Sequence, residues 1–158
     1  MRLIPPGFYF RMGLYDHPNQ GVIGLPLNPY LIFNGNAREA ALFYANVFGL
    51  EEPQFLTFGS MHAEHLPPGS ENLIMHTYLD IAGSKLMFSD NFPGAPFQQG
   101  NNFTLAYVSN DEAAIRDAFR KLQDGGSVKM ELQETPWSKC YGSVTDKFNI
   151  EWQFSHED

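Results

Sequence analysis

One histidine stands where it could transfer protons. Residues 74–81 alternate polar and apolar side chains, as a half-buried strand does. The alternation places His76 on one face with Tyr78, and Leu79 and Ile81 on the other. Imidazole titrates near neutral pH, so His76 could act as a general base or as a donor that orients a substrate. The alternative is a hydrogen-bonded structural histidine.

A second set of residues could bind a ligand rather than react with it. Aromatic rings offer flat apolar area, and tryptophan and tyrosine add one polar group each, which suits a planar molecule. Two glutamines could orient polar atoms of the same molecule. The alternative role for the phenylalanines is core packing, because the chain has 14 of them. The candidate ligand-binding residues are Phe33, Phe103, Gln133, Trp137, Tyr141, Trp152 and Gln153.

Other reactive side chains favour structural roles. Cys140 has no histidine or aspartate beside it in sequence to activate the thiol. Asp90 and Asp146 follow predicted strands and precede turns, where aspartate caps backbone amides. The remaining metal-like spacing, His62-Ala63-Glu64-His65, lies in a long loop without a predicted scaffold, so we interpret it as a polar loop.

The clearest element is a helix after a short strand at 30–33. Asn36 is a predicted N-cap, with Glu39 reaching back to the cap amide, and Gly49 supplies the left-handed residue after the helix. Apolar residues between them recur at helical spacing. They are Ala40, Phe43, Tyr44, Val47 and Phe48.

The same order of elements then recurs. Asn110 or Asp111 caps a second helix, and further strands are predicted around both helices. Their ranges are 54–58, 74–81, 85–89, 103–108, 128–132, 141–144 and 150–154. A repeated strand-helix-three-strand unit predicts an α+β fold of two βαβββ modules, at about 28–91 and 102–155. The Pro- and Gly-rich residues 1–26 are predicted to form an irregular N-terminal arm outside the 27–158 domain.

Composition narrows the partners and the compartment. The 18 acidic and 10 basic residues give a net charge of -8, which argues against a nucleic-acid partner. A membrane span is not expected, because no run approaches the ~20 apolar residues that one needs. The single cysteine and the absence of a secretory signal favour a reducing compartment, so we expect a cytoplasmic protein.

Residues 28–155 resemble the PhnB-like family of the glyoxalase/bleomycin-resistance (vicinal oxygen chelate) superfamily. The resemblance is carried by the segments "PYLIFNGNAREAALFYANVFG", "IMHTYLDIAGSKLMFSD" and "LQETPWSKCYGSVTDKFNIEWQFS". It implies a curved mixed sheet around one cleft, and a homodimer. Asn149 stands where the family usually has glycine, and asparagine tolerates the positive φ that such a turn needs.

The resemblance also implies where a metal would be held. The superfamily's ligand positions fall near Pro29, Met87, Phe103 and Gln153, and of these only Gln153 has a side chain suited to a hard divalent ion. We therefore expect neither a metal site nor another cofactor.

These observations lead to two functional hypotheses. The first is a protein that binds a small, planar or aromatic molecule in an aromatic cleft without a metal. The alternative is a glyoxalase-like isomerase or lyase acting on a small oxygenated substrate, with His76 as acid/base and with metal assistance left open. Family members are also labelled methyltransferases, but no strand-Gly-rich-loop-helix unit suited to a nucleoside cofactor is present. Whether the protein is an enzyme stays open at this stage.

Overall fold

The computed structural model describes residues 27–61 and 66–158. The predictions for residues 1–26 and for the His62-Ala63-Glu64-His65 segment therefore lie outside the described residues. A single 3-10 turn at Gly59–Met61 follows the second strand. The regular elements are β1 (Tyr30–Phe33), α1 (Ala37–Val47), β2 (Leu56–Thr57), β3 (Ile74–Ile81), β4 (Ser84–Asp90), β5 (Thr104–Ser109), α2 (Glu112–Leu122), β6 (Ser127–Thr135), β7 (Ser138–Thr145) and β8 (Glu151–His156).

The strands form two four-stranded sheets with the same connectivity. The first sheet has the order β1-β4-β3-β2 and the second has the order β5-β8-β7-β6. Strand β1 pairs in parallel with β4, and β5 pairs in parallel with β8, whereas the other neighbouring strands are antiparallel. Two mixed sheets, each with one helix, confirm the predicted α+β class. We call the two units the first and the second module.

The start of helix α1 is stabilised by hydrogen bonds from backbone N–H groups to a carboxylate that is distant in sequence. Oδ1 of Asp90 accepts hydrogen bonds from the backbone N–H groups of Gly35 (3.0 Å) and Ala37 (2.9 Å). Asn36 stands at the N-cap, but its side chain makes no capping bond, so that part of the prediction was wrong. A carboxylate is a stronger acceptor than an amide oxygen, and here it replaces the local cap. Glu39 instead pairs with Lys147, with 2.8 Å between Oε1 and Nζ.

The other predicted turn residues behave as expected. Asp111 caps α2 by accepting a hydrogen bond from the N–H of Ala114 at 3.0 Å. Gly49 has φ +66° after α1, and Asn149 has φ +61° in the turn between β7 and β8. Positive φ is tolerated by glycine, and by asparagine better than by most other residues. Asn149 therefore adopts the positive φ that the turn at this position was expected to need.

The core lies between the helices and one face of each sheet. Tyr44 of α1 is fully buried and contacts the rings of Phe88 and Trp152, with centroids 5.7 Å and 5.4 Å away. Phe33 and Phe148 meet edge to face across the modules at 5.8 Å. The modules therefore share one apolar interior, and the opposite face of each sheet stays outside it. We call those outer faces the first and the second open face.

Candidate functional site

The first open face combines aromatic, basic and imidazole side chains on three strands. Alternate residues of β1 and β4 are buried, so Tyr30 and Met87 point to the other side of the sheet. Met87 lies opposite both Tyr30 and Tyr78 in the strand register. His76 and Lys85 flank this row on β3 and β4. These five residues define the first open face.

His76 is joined to its neighbours by direct contacts. The Tyr30 hydroxyl oxygen lies 3.0 Å from His76 Nδ1, within hydrogen-bond distance. The ring centroid of His76 is 5.8 Å from that of Tyr30 and 6.3 Å from that of Tyr78. Lys85 Nζ is 4.6 Å from the centroid of the Tyr78 ring. The sequence placed His76 and Tyr78 on one face, and the structure brings them together there.

The electrostatics of this face favour the neutral forms of His76 and Tyr30. Partial burial lowers the pKa of His76, and the positive charge of Lys85 lowers it further. Burial raises the pKa of Tyr30, and a hydrogen bond with Ser89 opposes that rise. A neutral imidazole beside a protonated phenol can accept or donate a proton, and can also hydrogen-bond a ligand.

The second open face carries amides and hydroxyls around one tyrosine. The Tyr141 hydroxyl donates a hydrogen bond to Gln153 Oε1 at 3.0 Å. Tyr141 lies opposite Gln133 in the β6–β7 register. Trp137, in the turn between these strands, meets the Tyr141 ring edge to face at 5.6 Å, with 66% of its surface exposed. We define the second open face by Gln133, Trp137, Tyr141 and Gln153, which are four of the predicted ligand-binding residues.

The remaining predicted residues lie elsewhere. Trp152 is only 3% exposed and packs against Tyr44 and Phe48 in the core. Phe33 is also buried in the core. Phe103 is 52% exposed just before β5. The structure therefore divides the predicted set among two open faces, the interior and the chain segment between the modules.

A shallow hollow at the junction of the modules has a volume of about 290 Å³. Phe33, Phe148 and Ile150 contribute apolar walls, and Asn34 and Gln99 contribute amides. The Gln99 side chain donates hydrogen bonds to the carbonyl oxygens of Phe148 (3.0 Å) and Asn149 (3.1 Å). Since its amide protons already have partners there, Gln99 holds the intermodule segment in place.

A buried carboxylate in the second module has a larger role than sequence reasoning gave it. Asp146 accepts hydrogen bonds from the N–H groups of Phe148 (2.9 Å) and Ile150 (3.0 Å), which is the predicted turn-capping role. It also accepts from the Tyr44 hydroxyl (2.5 Å) and Trp152 Nε1 (2.9 Å). The sequence signal available was the short spacing from Asp146 to Trp152, but nothing local pointed to Tyr44.

The described residues offer no cluster of three or more His, Cys, Asp or Glu side chains that could hold a metal ion. At the ligand positions implied by the superfamily, Pro29 and Phe103 have no donor atom, and Met87 offers only a thioether. Gln153 is hydrogen-bonded to Tyr141. These residues do not fit a hard divalent ion such as those of the superfamily's metalloenzymes.

The amides at the start of α1 do not suit a nucleoside cofactor either. A helix N-terminus can bind the anionic group of a ligand through its free N–H groups. Here Asp90 occupies the N–H groups of Gly35 and Ala37 with its own negative charge. The equivalent position on α2 is held by Asp111. Both helix N-termini therefore carry a carboxylate that disfavours an anionic group of a ligand there.

The two open faces are not joined to each other within one chain. Contacts between the modules include Tyr44 with Asp146 and Phe48 with Tyr107 in the interior, and the more exposed ion pair of Glu39 with Lys147. In the part of the chain that the structure describes, no hydrogen bond, ion pair or ring contact links the defining residues of one open face to those of the other. Neither described helix is long and apolar enough to cross a membrane.

Comparison with known proteins gives a consistent set of relatives. Residues 26–155 match the family described as 3-demethylubiquinone-9 3-methyltransferase. Protein YjdN of Escherichia coli K12 is 34% identical over 140 residues, covering 83% of this chain and 95% of that protein. The structure of protein PA1353 from Pseudomonas aeruginosa has a TM-score of 0.70 at 32% identity, covering 84% of this chain and 98% of that chain.

Further solved structures extend the likeness. A PhnB protein from Bacillus cereus has a TM-score of 0.65 at 26% identity, covering 84% of this chain and 100% of that chain. A glyoxalase/bleomycin resistance protein/dioxygenase family enzyme from Burkholderia phytofirmans PsJN has a TM-score of 0.53 at 15% identity, covering 80% and 95% of the two chains. At that identity the likeness concerns the fold alone.

Proposed function

Since this chain belongs to the 3-demethylubiquinone-9 3-methyltransferase family, a PhnB-like branch of the glyoxalase/bleomycin-resistance superfamily, we propose that it binds a small planar or aromatic molecule without a metal. The binding surface is the first open face. Fold and family membership do not fix chemistry, so the proposal rests on the residues of that face.

The observation that carries the proposal is the row of rings around His76. Tyr30 and Tyr78 are 39% and 36% exposed, although each has another ring within contact distance. Exposed rings already aligned by neighbouring strands lose little conformational freedom when a ligand stacks on them. Offset or edge-to-face contacts with a planar ligand would add to its apolar burial.

A homodimer would close this surface. Each chain presents two open faces that do not contact each other, so one face is an incomplete cleft. We propose that a second copy covers the first open face, with Gln133, Trp137, Tyr141 and Gln153 on the second open face completing the ligand contacts. The exposure of Trp137 in one chain supports this arrangement, since a large ring is the kind of group that interfaces bury.

The alternative function is a glyoxalase-like isomerase or lyase that acts on a small oxygenated substrate. The hydrogen bond between Tyr30 and His76 and the lowered pKa of His76 favour it, because a neutral imidazole can remove a proton. In this mechanism Tyr30 orients the ring and Lys85 stabilises a developing oxyanion. Metal assistance would need ligands other than the residues at the superfamily's positions.

Ligand mapping by NMR tests the proposal. A panel of planar aromatic molecules is titrated into protein that has been treated with a chelator, and shift changes are mapped to residues. We expect changes at His76, Tyr30 and Tyr78, and weaker binding by at least about fivefold in Tyr78→Ala, which removes one stacking ring. Phe92→Ala is the matched control, since Phe92 is exposed outside both open faces. Binding confined to other residues would contradict the proposal.

Turnover separates the two functions. His76→Ala should only weaken binding if the protein is a binding protein. It should abolish turnover of an oxygenated substrate if His76 is the acid/base group. Metal analysis before and after adding Ni²⁺, Zn²⁺ or Mn²⁺ completes the test, because a stoichiometric metal that the activity requires would overturn the metal-free proposal.

A further inference from the structure

Lys85 gives the first open face a positive charge. It is exposed on β4, and its ammonium group lies over the Tyr78 ring at 4.6 Å from the centroid. Within the part of the chain that the structure describes, Lys85 has no carboxylate within ion-pair distance. The same ammonium contributes to the lowered pKa of His76, so its charge reaches the imidazole.

The nearest acid in the strand register forms no ion pair with Lys85. Asp80 is the cross-strand partner of Lys85, where an ion pair could form. Its Oδ1 instead accepts a hydrogen bond from the N–H of Gly83 at 3.0 Å, in the turn between the two strands. The ammonium group therefore remains available to a ligand.

The other polar groups of the face suit the same kind of ligand. In either tautomer of the neutral imidazole, the hydrogen-bonded Tyr30–His76 pair keeps one donor for a ligand, and neither residue carries a negative charge at neutral pH. The whole chain has a net charge of -8, which repels anions at long range. On this acidic protein, the first open face therefore combines a cation without an ion-pair partner among the described residues, one hydrogen-bond donor and two exposed tyrosine rings, which together suit a planar anion.

We propose that the first open face selects planar aromatic anions, with an aryl carboxylate or phenolate oxygen beside Lys85 and the ring against Tyr78 and His76. This inference rests on the proposed function, because it names the class of ligand for that same surface. It applies equally to a binding protein and to an enzyme, since both must first hold the anion.

A pair of probes that differ only in charge tests the inference. Full-length protein is titrated with 2-naphthoate and with 2-naphthamide at neutral pH, and dissociation constants are measured by NMR or fluorescence. We expect 2-naphthoate to bind about three- to tenfold more tightly, the range that a partly exposed charge-assisted contact supplies. The preference should shrink as salt is added, because salt screens exposed charges.

Variants assign the preference to one side chain. Lys85→Gln should bring the two dissociation constants together, and Lys85→Arg should restore the preference for naphthoate. Arg120→Gln is the control, because it removes the same net charge from an exposed position on α2, away from the first open face. It should leave the preference unchanged.

Each remaining outcome has one meaning. Equal binding of both probes by the parent protein, with loss of both in Tyr78→Ala, would overturn the inference and leave the proposed function standing. A preference that survives in Lys85→Gln would also overturn it, because the charge would then act from elsewhere. Failure of both probes to bind would overturn the proposed function and the inference together.

Discussion

The two modules have the same strand order but carry different chemistry on equivalent surfaces. The open face of the first module combines imidazole, phenol and ammonium groups around Met87. The open face of the second has an internally satisfied Tyr141–Gln153 hydrogen bond and one exposed indole. The defining residues of the first face thus include a basic side chain and an imidazole, whereas those of the second are two amides, a phenol and an indole.

The interior differs between modules as well. In the described part of the first module, Asp90 accepts hydrogen bonds only from backbone N–H groups, which are those of Gly35, Ala37 and Ile74. In the second, Asp146 holds two backbone N–H groups together with the side chains of Tyr44 and Trp152. Both modules therefore have a buried aspartate that caps a turn after a strand. In the second module this aspartate, Asp146, also binds Tyr44 of the first module.

The largest expected effect is at Asp146. Asp146→Ala leaves two amides, one indole N–H and one phenol without an acceptor, so we expect a loss of about 3 to 5 kcal/mol in the free energy of unfolding. Asp90→Ala should lose less, about 2 to 3 kcal/mol, because three amides lose a partner. Urea denaturation measures both.

Asp80→Ala is the control for this pair. Asp80 is an exposed carboxylate with one turn hydrogen bond, and its removal should change the free energy of unfolding by less than about 0.5 kcal/mol. If Asp90→Ala were the more damaging of the buried pair, the proposed difference between the modules would be reversed.

The link between modules can be weakened without removing the carboxylate. Tyr44→Phe keeps the buried ring and deletes its hydrogen bond to Asp146, so we expect a loss of about 1 to 2 kcal/mol near neutral pH. Burial, the negative charge of Asp146 and the hydrogen bond to it raise the pKa of Tyr44 well above its usual value of 10.0.

The raised pKa predicts the pH dependence of this variant. Above pH 10 the unfolded chain releases the Tyr44 proton while the folded protein keeps it, so this contribution to stability falls as pH rises towards the folded pKa. The stability difference between parent and Tyr44→Phe should therefore shrink above pH 10. A difference that stays constant to higher pH would contradict the buried hydrogen bond.

An intermediate effect is expected on the first open face. The pKa of His76 should lie below its usual value of 6.5, because burial and then Lys85 disfavour the charged ring. As pH falls below 6.5, His76 takes up a proton in the unfolded chain before it does so in the folded protein. The free energy of unfolding therefore decreases between pH 6.5 and the lower pKa of His76 in the folded protein. Lys85→Gln should raise the pKa of His76, measured by NMR titration of the ring. No change would show that the Lys85 charge does not reach His76.

The smallest effect is expected on the second open face. Trp137→Ala removes a ring that is 66% exposed in a single chain, so at protein concentrations where the chain is monomeric it should change the free energy of unfolding by less than about 0.5 kcal/mol. Its fluorescence signature should be clear, because the remaining Trp152 is buried and emits at shorter wavelength than an exposed indole. A large loss of stability would mean that Trp137 is buried in solution, as the proposed homodimer requires.

Local patterns predicted most of the elements but few of the distant partners. The alternation in residues 74–81 gave β3 and the face of His76, and helical spacing gave both helices. The cap of α2 was predicted as Asn110 or Asp111, and Asp111 fills that role, because this cap is formed within the same turn of chain. The position of the α1 N-terminus was also predicted, at Asn36, but its acceptor was not, because Asp90 is 53 residues beyond Ala37 and no periodicity encodes that contact.

The candidate site was predicted only in part, because contacts between residues distant in sequence decide which side chains lie on the open faces. The predictions grouped Trp152 with Trp137 because composition cannot tell a core indole from a surface one. Trp152 is distinguished from Trp137 by its contact with the Tyr44 ring and by its hydrogen bond to Asp146, both of which the structure reveals. Lys85 was overlooked because its importance arises from the strand register, which places it beside Tyr78 rather than beside a sequence neighbour.

The bond between Tyr44 and Asp146 also affects how the protein is made. The two residues are 102 positions apart, and a ribosome adds residues at roughly 5 to 20 per second, so the acceptor follows its donor by about 5 to 20 seconds. During that interval the newly made first module has the Tyr44 hydroxyl without its final partner. Its apolar side is also uncovered, which invites association with other nascent chains. Chaperone dependence in the cell should therefore concentrate on the first module until synthesis passes the turn that contains Asp146.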